Sequence, residues 1–135
     1  MDLVRRQHFT IAFLRIFFAA IMVIHGVARS YAGGVAPFGE FLTGYGVPLG
    51  LYLAWAITIF EIVGGIILAA GFFVPVLAVI FAVHLLAGII LVHARDGWFV
   101  VGLGRNGMEY SVLLLVSFLA IAYAHYEPER RRRRF

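Results

Sequence analysis

Apolar residues in this chain come in long unbroken stretches, without the strict alternation of a half-buried strand. A helix needs about 20 such residues to cross a ~30 Å hydrocarbon core. Four stretches answer that description: Phe9 to about Ala28, about Leu51 to Ala70, about Phe73 to Val92, and about Met108 to Ala124. Pro75 lies at the entry of the third, where a helix tolerates proline. Strands of a transmembrane barrel would be shorter and would alternate in polarity. The pattern therefore predicts an all-α membrane protein, an antiparallel four-transmembrane-helix bundle. Residues 1–135 then form a single transmembrane domain, with 125–135 as a basic cytoplasmic tail.

The connections differ in kind. Residues 71–74 leave space only for a tight, uncharged turn, so the second and third spans are expected to form an antiparallel hairpin. Residues 29–50 make a longer loop punctuated by Gly33, Gly34, Pro37, Gly44, Gly46 and Pro48. Its middle, Phe38 to Leu42, is expected to form one interfacial turn carrying Glu40. Residues 93–107 hold Arg95, Asp96, Arg105 and Asn106, with Trp98 and Phe99 suited to the membrane boundary. Small-residue pairs such as Ala78 with Ala82, taken as exposed, permit a homodimer.

Composition strengthens the membrane reading. With 63% apolar residues, 13% charged residues and a mean hydropathy of +0.97, a 135-residue globule could not hide its apolar surface from water. Disorder would need the opposite composition. The absence of cysteine excludes disulfide staples, thiol redox catalysis, c-type haem attachment and Cys-ligated iron–sulfur or zinc centres. No phosphate loop, nucleophile elbow or dinucleotide fingerprint is present. The spans occupy well over half the chain, so any chemistry must come from the helices and their loops. Arg5, Arg6 and Arg130–Arg134 flank one side of the bundle, against Arg29, Arg95 and Arg105 on the other. The positive-inside rule then puts both termini in the cytoplasm. The first apolar run is too long for a signal-peptide core and reads as a retained span. Five arginines in the tail account for the +4 net charge. They read as a topology signal that also attracts anionic lipid headgroups, rather than as a nucleic-acid surface.

Ionisable groups inside a bilayer are costly and face the bundle interior. Glu61 falls near the midplane of the second span and His84 near that of the third. Arg15 lies about 9 Å inside the cytoplasmic edge of the first, within reach of Glu61. On that helix Arg15, Met22, His25 and Arg29 share roughly an 80° sector. On the second span Thr58, Glu61 and Gly65 share a face, and Gly64 and Gly65 let a neighbouring helix come close. At the outer face His25, Arg29, His93, Arg95, Asp96 and Glu109 collect. Glu109 serves either as a carboxylate at a helix N-terminus or as a partner of Arg29 or Arg95. For Glu61 with Arg15, a structural ion pair competes with proton handling or ligand binding. His84 reads best as a hydrogen-bonded core histidine. A metal site from His25, His93 and Glu109 is chemically reasonable but lacks ligand spacing within one helix; bis-histidine haem b is a minor alternative, with His25 and His93 at similar depth on spans one and three.

These residues resemble the DoxX family. Leu14-Arg15-Ile16 followed by His25-Gly26-Val27-Ala28-Arg29 is similar to its opening span, with Arg29 where Lys is common. Gly46-Val47-Pro48 is similar to its glycine–proline entry to the second span. Phe60-Glu61-Ile62-Val63-Gly64-Gly65 with Gly71 resembles its Glu–Gly-Gly stretch. Val92-His93 with Asp96-Gly97-Trp98-Phe99 resembles its His and Asn-Gly-Phe element, with Asp96 in place of Asn. Gly107-Met108-Glu109-Tyr110 matches the Glu-Tyr of its last span. The resemblance implies a four-helix bacterial inner-membrane protein of the kind that includes small subunits of thiosulfate:quinone oxidoreductase and associates of membrane redox complexes.

Two functions follow as expectations. The first is a subunit or accessory of a quinone-linked oxidoreductase system, with quinone as the candidate cofactor and a redox partner protein supplying electrons. Its slot would lie between spans one and two, near Met22, Trp55 and Phe60. Glu61 would exchange the proton, Arg15 would tune it, and His25 or His84 would be the second donor. The polar rim of Arg29, His93 and Glu109 would complete the ligand-binding set. The second is a non-enzymatic protein that binds, transports or scaffolds a lipid or other small apolar ligand.

Overall fold

A computed structural model describes residues 2–102 and 105–126. All regular structure among them is helical. In chain order the elements are α1 (Leu3–Tyr31), α2 (Val35–Gly44), α3 (Gly50–Ile59), a π-helical turn (Phe60–Gly64), α4 (Gly65–Ala70), α5 (Val74–Leu91), a 3-10 turn (His93–Asp96) and α6 (Glu109–His125). Three of the helical stretches are long and apolar enough to cross a membrane: Leu3–Tyr31, Gly50–Ala70 and Val74–Leu91. The fourth, α6, is apolar but shorter, at 17 residues. The ends of the later three helical stretches fall within one residue of the hydrophobic runs, whereas α1 starts six residues early and ends three residues late. Arg5, Arg6 and Gln7 are good helix formers and prolong it beyond the apolar run. The arginine run of the basic tail lies outside the described residues.

The chain divides into two compact units, Ile16–Phe72 and the combination of Met1–Arg15 with Phe73–Phe135. In the first, the later half of α1 runs antiparallel to the Gly50–Ala70 span. A Cβ on Gly26 would lie 3.1 Å from the Glu61 Cβ, and one on Gly65 would lie 2.6 Å from Val23 Cγ2. Contacts therefore descend along one helix as they climb the other. Two turns of this unit end a helix on a left-handed glycine. Gly33 (φ 69°) ends α1 with the Gly34 amide bonded to the Arg29 carbonyl, and Gly71 (φ 91°) ends α4 with the Phe72 amide bonded to that of Ile67.

The loop between the first two spans is more ordered than its breakers suggest. In place of one turn over Phe38–Leu42 it holds the ten-residue α2. Val35, Gly39 and Leu42 recur at helical spacing and are buried. Val35 and Leu42 pack with Ala54, against which Phe38, Phe41, Val47 and Ile57 also close. Pro37 falls in the first turn, where no intrahelical N–H is required of it. Beside this contact Ala36, Gly39, Glu40, Thr43 and Leu51 line a groove of about 290 Å³.

In the second unit, α5 and α6 form an antiparallel hairpin. The amides of Met108 and Glu109 bond the carbonyls of Gly97 and Trp98, so α6 begins beside the segment that leaves α5. Phe81 and Phe118 stack with ring centroids 5.1 Å apart, and both are fully buried. Ala78 and Ala82 are buried in the chain itself, so the dimer contact expected of them is already spent on intramolecular packing.

The α2–α3 contact gives a stability prediction. A Cβ on Gly39 would sit 2.7 Å from the Leu51 Cα, whereas one on Gly44 would meet nothing. Gly39→Ala should lower thermal stability in detergent by an overpacking cost of about 1–3 kcal/mol. Gly44→Ala should leave the melting temperature unchanged or higher.

Candidate functional site

Glu61 is the second residue of the π-helical turn and is 0% exposed. A carboxylate in such a place must be answered by a cation and hydrogen-bond donors, because nothing else offsets its lost hydration. Arg29 supplies both. Its Nη1 donates to Glu61 Oε2 at 2.6 Å and its Nη2 donates to Oε1 at 3.1 Å, an end-on fork. The other Nη1 hydrogen reaches the Thr58 hydroxyl oxygen at 3.0 Å. Thr58 is itself fully buried and donates to the Ala54 carbonyl at 2.7 Å. One hydroxyl thus satisfies a backbone acceptor and orients the guanidinium. The Phe38 ring covers the cation, with its centroid 4.7 Å from the guanidinium carbon.

Local sequence explains why these groups meet. Gly26 lets α1 touch the π-turn, since a Cβ there would also come within 2.9 Å of Ile62 Cγ1. Side chains on a helix lean toward its N-terminus. Arg29, near the end of α1, therefore reaches back along its own helix toward the middle of the second span. The glycine turn at Gly33–Gly34 then folds the chain over the arginine stem and brings Phe38 onto it. π-Turns are rare and recur at functional sites, which makes the coincidence of one with a buried acid informative.

The cation assignment differs from the sequence expectation. Arg29 is the cation bound to Glu61, where Arg15 was expected. Arg15 stands fourteen residues earlier on α1, about 21 Å along the axis. Its Nη1 lies 3.3 Å from His125 Nε2. His125 Nδ1 faces the Ile121 carbonyl at 2.9 Å and must donate to it, which leaves Nε2 as the acceptor for Arg15. Depth counted along the chain pointed to Arg15, while the lean of helical side chains was the signal that favours Arg29. Thr58 was visible on the right face but not as a ligand of the cation, and Phe38 gave no signal at all.

The remaining expected residues are dispersed. Met22 is buried on the Ala19–Met22–Gly26 face of α1, whereas His25 beside it is exposed. Trp55 is 48% exposed, on the flank of the Ala54–Thr58–Glu61 face. Phe60 is half-buried, its ring close against Gly64. His84 is half-buried in α5. His93 Nδ1 donates to the Asn106 carbonyl at 3.0 Å. Glu109 Oε1 accepts the amides of Val100 and Val101 at 2.9 and 3.0 Å, which folds the loop back onto the first turn of α6. Those donors and the helix N-terminus both favour its carboxylate. Among the described residues no three of His, Cys, Asp and Glu converge as a metal site would require.

The DoxX family profile matches residues 10–94, well over half of the chain, and the chain belongs to that family. The match takes in Arg15, His25, Arg29, Glu61, His84 and His93 and ends before Glu109. Comparison with curated proteins and with solved structures gave no match.

The ion pair makes its own prediction. Arg29→Ala strips the partner from a buried acid and should cost about 3–5 kcal/mol of stability. Combining it with Glu61→Gln should recover part of that loss, because no uncompensated charge remains. Thermal or denaturant unfolding of the three variants in detergent checks the coupling.

Proposed function

We propose that the chain serves as an integral inner-membrane subunit or accessory of a quinone-linked oxidoreductase system, with both termini in the cytoplasm. The observation that carries this reading is the Arg29–Glu61 pair: an acid and a cation held together at the centre of an apolar span, on a π-turn, with only the arginine partly open. A quinone needs an apolar setting for its ring and tail, donors for its oxygens, and a group that exchanges protons. Phe60, half-buried and next to Glu61 in the chain, supplies apolar surface, Arg29 supplies donors, and Glu61 is the proton-exchanging group, tuned by Arg29 in the role first expected of Arg15. Thr58 positions the guanidinium. Reduction of a quinone takes two electrons and two protons. The electrons come from a partner protein, in keeping with the redox associations that membership of the family implies.

Organic extraction of the purified protein is expected to release quinone. Glu61→Gln, which keeps the shape of the side chain and loses its proton exchange, should leave quinone content largely intact while lowering partner-dependent quinone reduction by about 10²-fold or more. Release of a defined lipid with no quinone would favour the ligand-binding alternative instead. An unchanged reduction rate in Glu61→Gln would remove the carboxyl from the proposed mechanism.

A further inference from the structure

The guanidinium of Arg29 carries five N–H donors, and three have protein partners: both hydrogens of Nη1 and one of Nη2. The end-on fork goes to Glu61, and the Nη1 hydrogen on the Cδ side goes to Thr58. What remains is the Nε–H and the inner Nη2–H. On a planar guanidinium these two point the same way and form its second fork. They are not sealed. The side chain keeps 14% exposure, and Arg29 Nε is not a buried polar atom lacking a partner among the described residues. Phe38 takes part as a ring, its centroid 4.7 Å from the guanidinium carbon, and uses none of the N–H donors.

Charge selects what the edge accepts. Arg29 and Glu61 together are formally neutral. An anion brought to the edge would leave one uncompensated negative charge in an apolar setting, which is costly. An uncharged oxygen with two lone pairs takes both N–H groups and adds no charge. We propose that the Nε/Nη2 edge of Arg29 is the anchoring site of the ligand and that it holds a neutral carbonyl oxygen of a ring such as a quinone in its oxidised form. This rests on the quinone reading above and adds to it the atom that is gripped. A phenolic hydroxyl is the weaker acceptor, so the reduced ligand is held less tightly than the oxidised one.

Arg29→Lys separates this role from the ion pair, because an ammonium keeps a charge for Glu61 but has no second fork. The full-length protein in detergent micelles is titrated with a short-chain benzoquinone, its hydroquinone, and decanoate. Affinity is read by equilibrium dialysis, the bound carbonyl by isotope-edited infrared spectroscopy of ¹³C=O-labelled quinone, and integrity by thermal unfolding. The wild type should bind benzoquinone more tightly than either other probe, with the carbonyl stretch lowered by hydrogen bonding. Arg29→Lys, folded by its melting transition, should lose affinity for benzoquinone about tenfold or more and lose the lowered stretch. Should that variant fail to fold, an ¹⁵N-arginine-labelled wild type keeps the test open, since quinone binding must shift the Arg29 Nε–H resonance. Equal benzoquinone affinity in a folded Arg29→Lys, or an Nε–H resonance unmoved by bound quinone, overturns the anchoring edge and leaves the quinone reading standing. Tighter binding of decanoate through Arg29 overturns the choice of a neutral oxygen. Absence of benzoquinone binding to the wild type overturns both readings together.

Discussion

A carboxylate buried in a span of apolar residues imposes a requirement that much of the Ile16–Phe72 unit is shaped to meet. Glu61 has no water to face, so a cation must come to it, and the cation must arrive with its donors correctly aimed. Arg29 can do so because three separate features converge. Gly26 admits close helix contact, Thr58 takes the arginine hydrogen that Glu61 cannot use, and the Gly33 turn sets Phe38 over the cation. The same features would also explain a purely structural pair. What sets this one apart is its asymmetry: the acid is fully closed off while the arginine side chain stays partly exposed.

The helical frame was largely legible along the chain, because membrane spans are written as uninterrupted apolar length. The tight turn at Gly71 followed from loop length and punctuation, whereas the pairing of α5 with α6 across the longer 93–107 connection was not singled out. Less legible was α2, since its glycines and Pro37 read as breakers when counted singly. Only contact with α3 shows that Gly39 is small because a backbone lies against it. The π-turn left no trace in composition, for it differs from an α-turn by one residue of backbone register.

For the site, residue type and depth together identified Glu61 as the group that demands explanation. They passed over Arg29 as the cation for Glu61 because depth treats a side chain as a point at its Cα. Arginine is about as long as the span is deep to its middle third, and its direction decides where the charge goes. Arg15, with the same chemistry, turns to His125 within the other unit. Likewise Glu109 was expected either to charge a helix end or to pair across a rim. Its two amide donors give it a further task, holding Val100 and Val101 against the first turn of α6.

The π-turn at Phe60–Gly64 has one more implication. A π-turn stores a single surplus residue in an otherwise regular helix, and the surplus can be handed to an adjacent turn without unfolding the rest. Each such hand-over rotates the residues it passes by about 100° around the helix axis. Were the surplus to pass across Glu61, the carboxylate would swing off the line of contact with α1 and let go of Arg29. In the Gly50–Ala70 span the whereabouts of one extra residue and the hold of Arg29 on a buried carboxylate would then be a single variable.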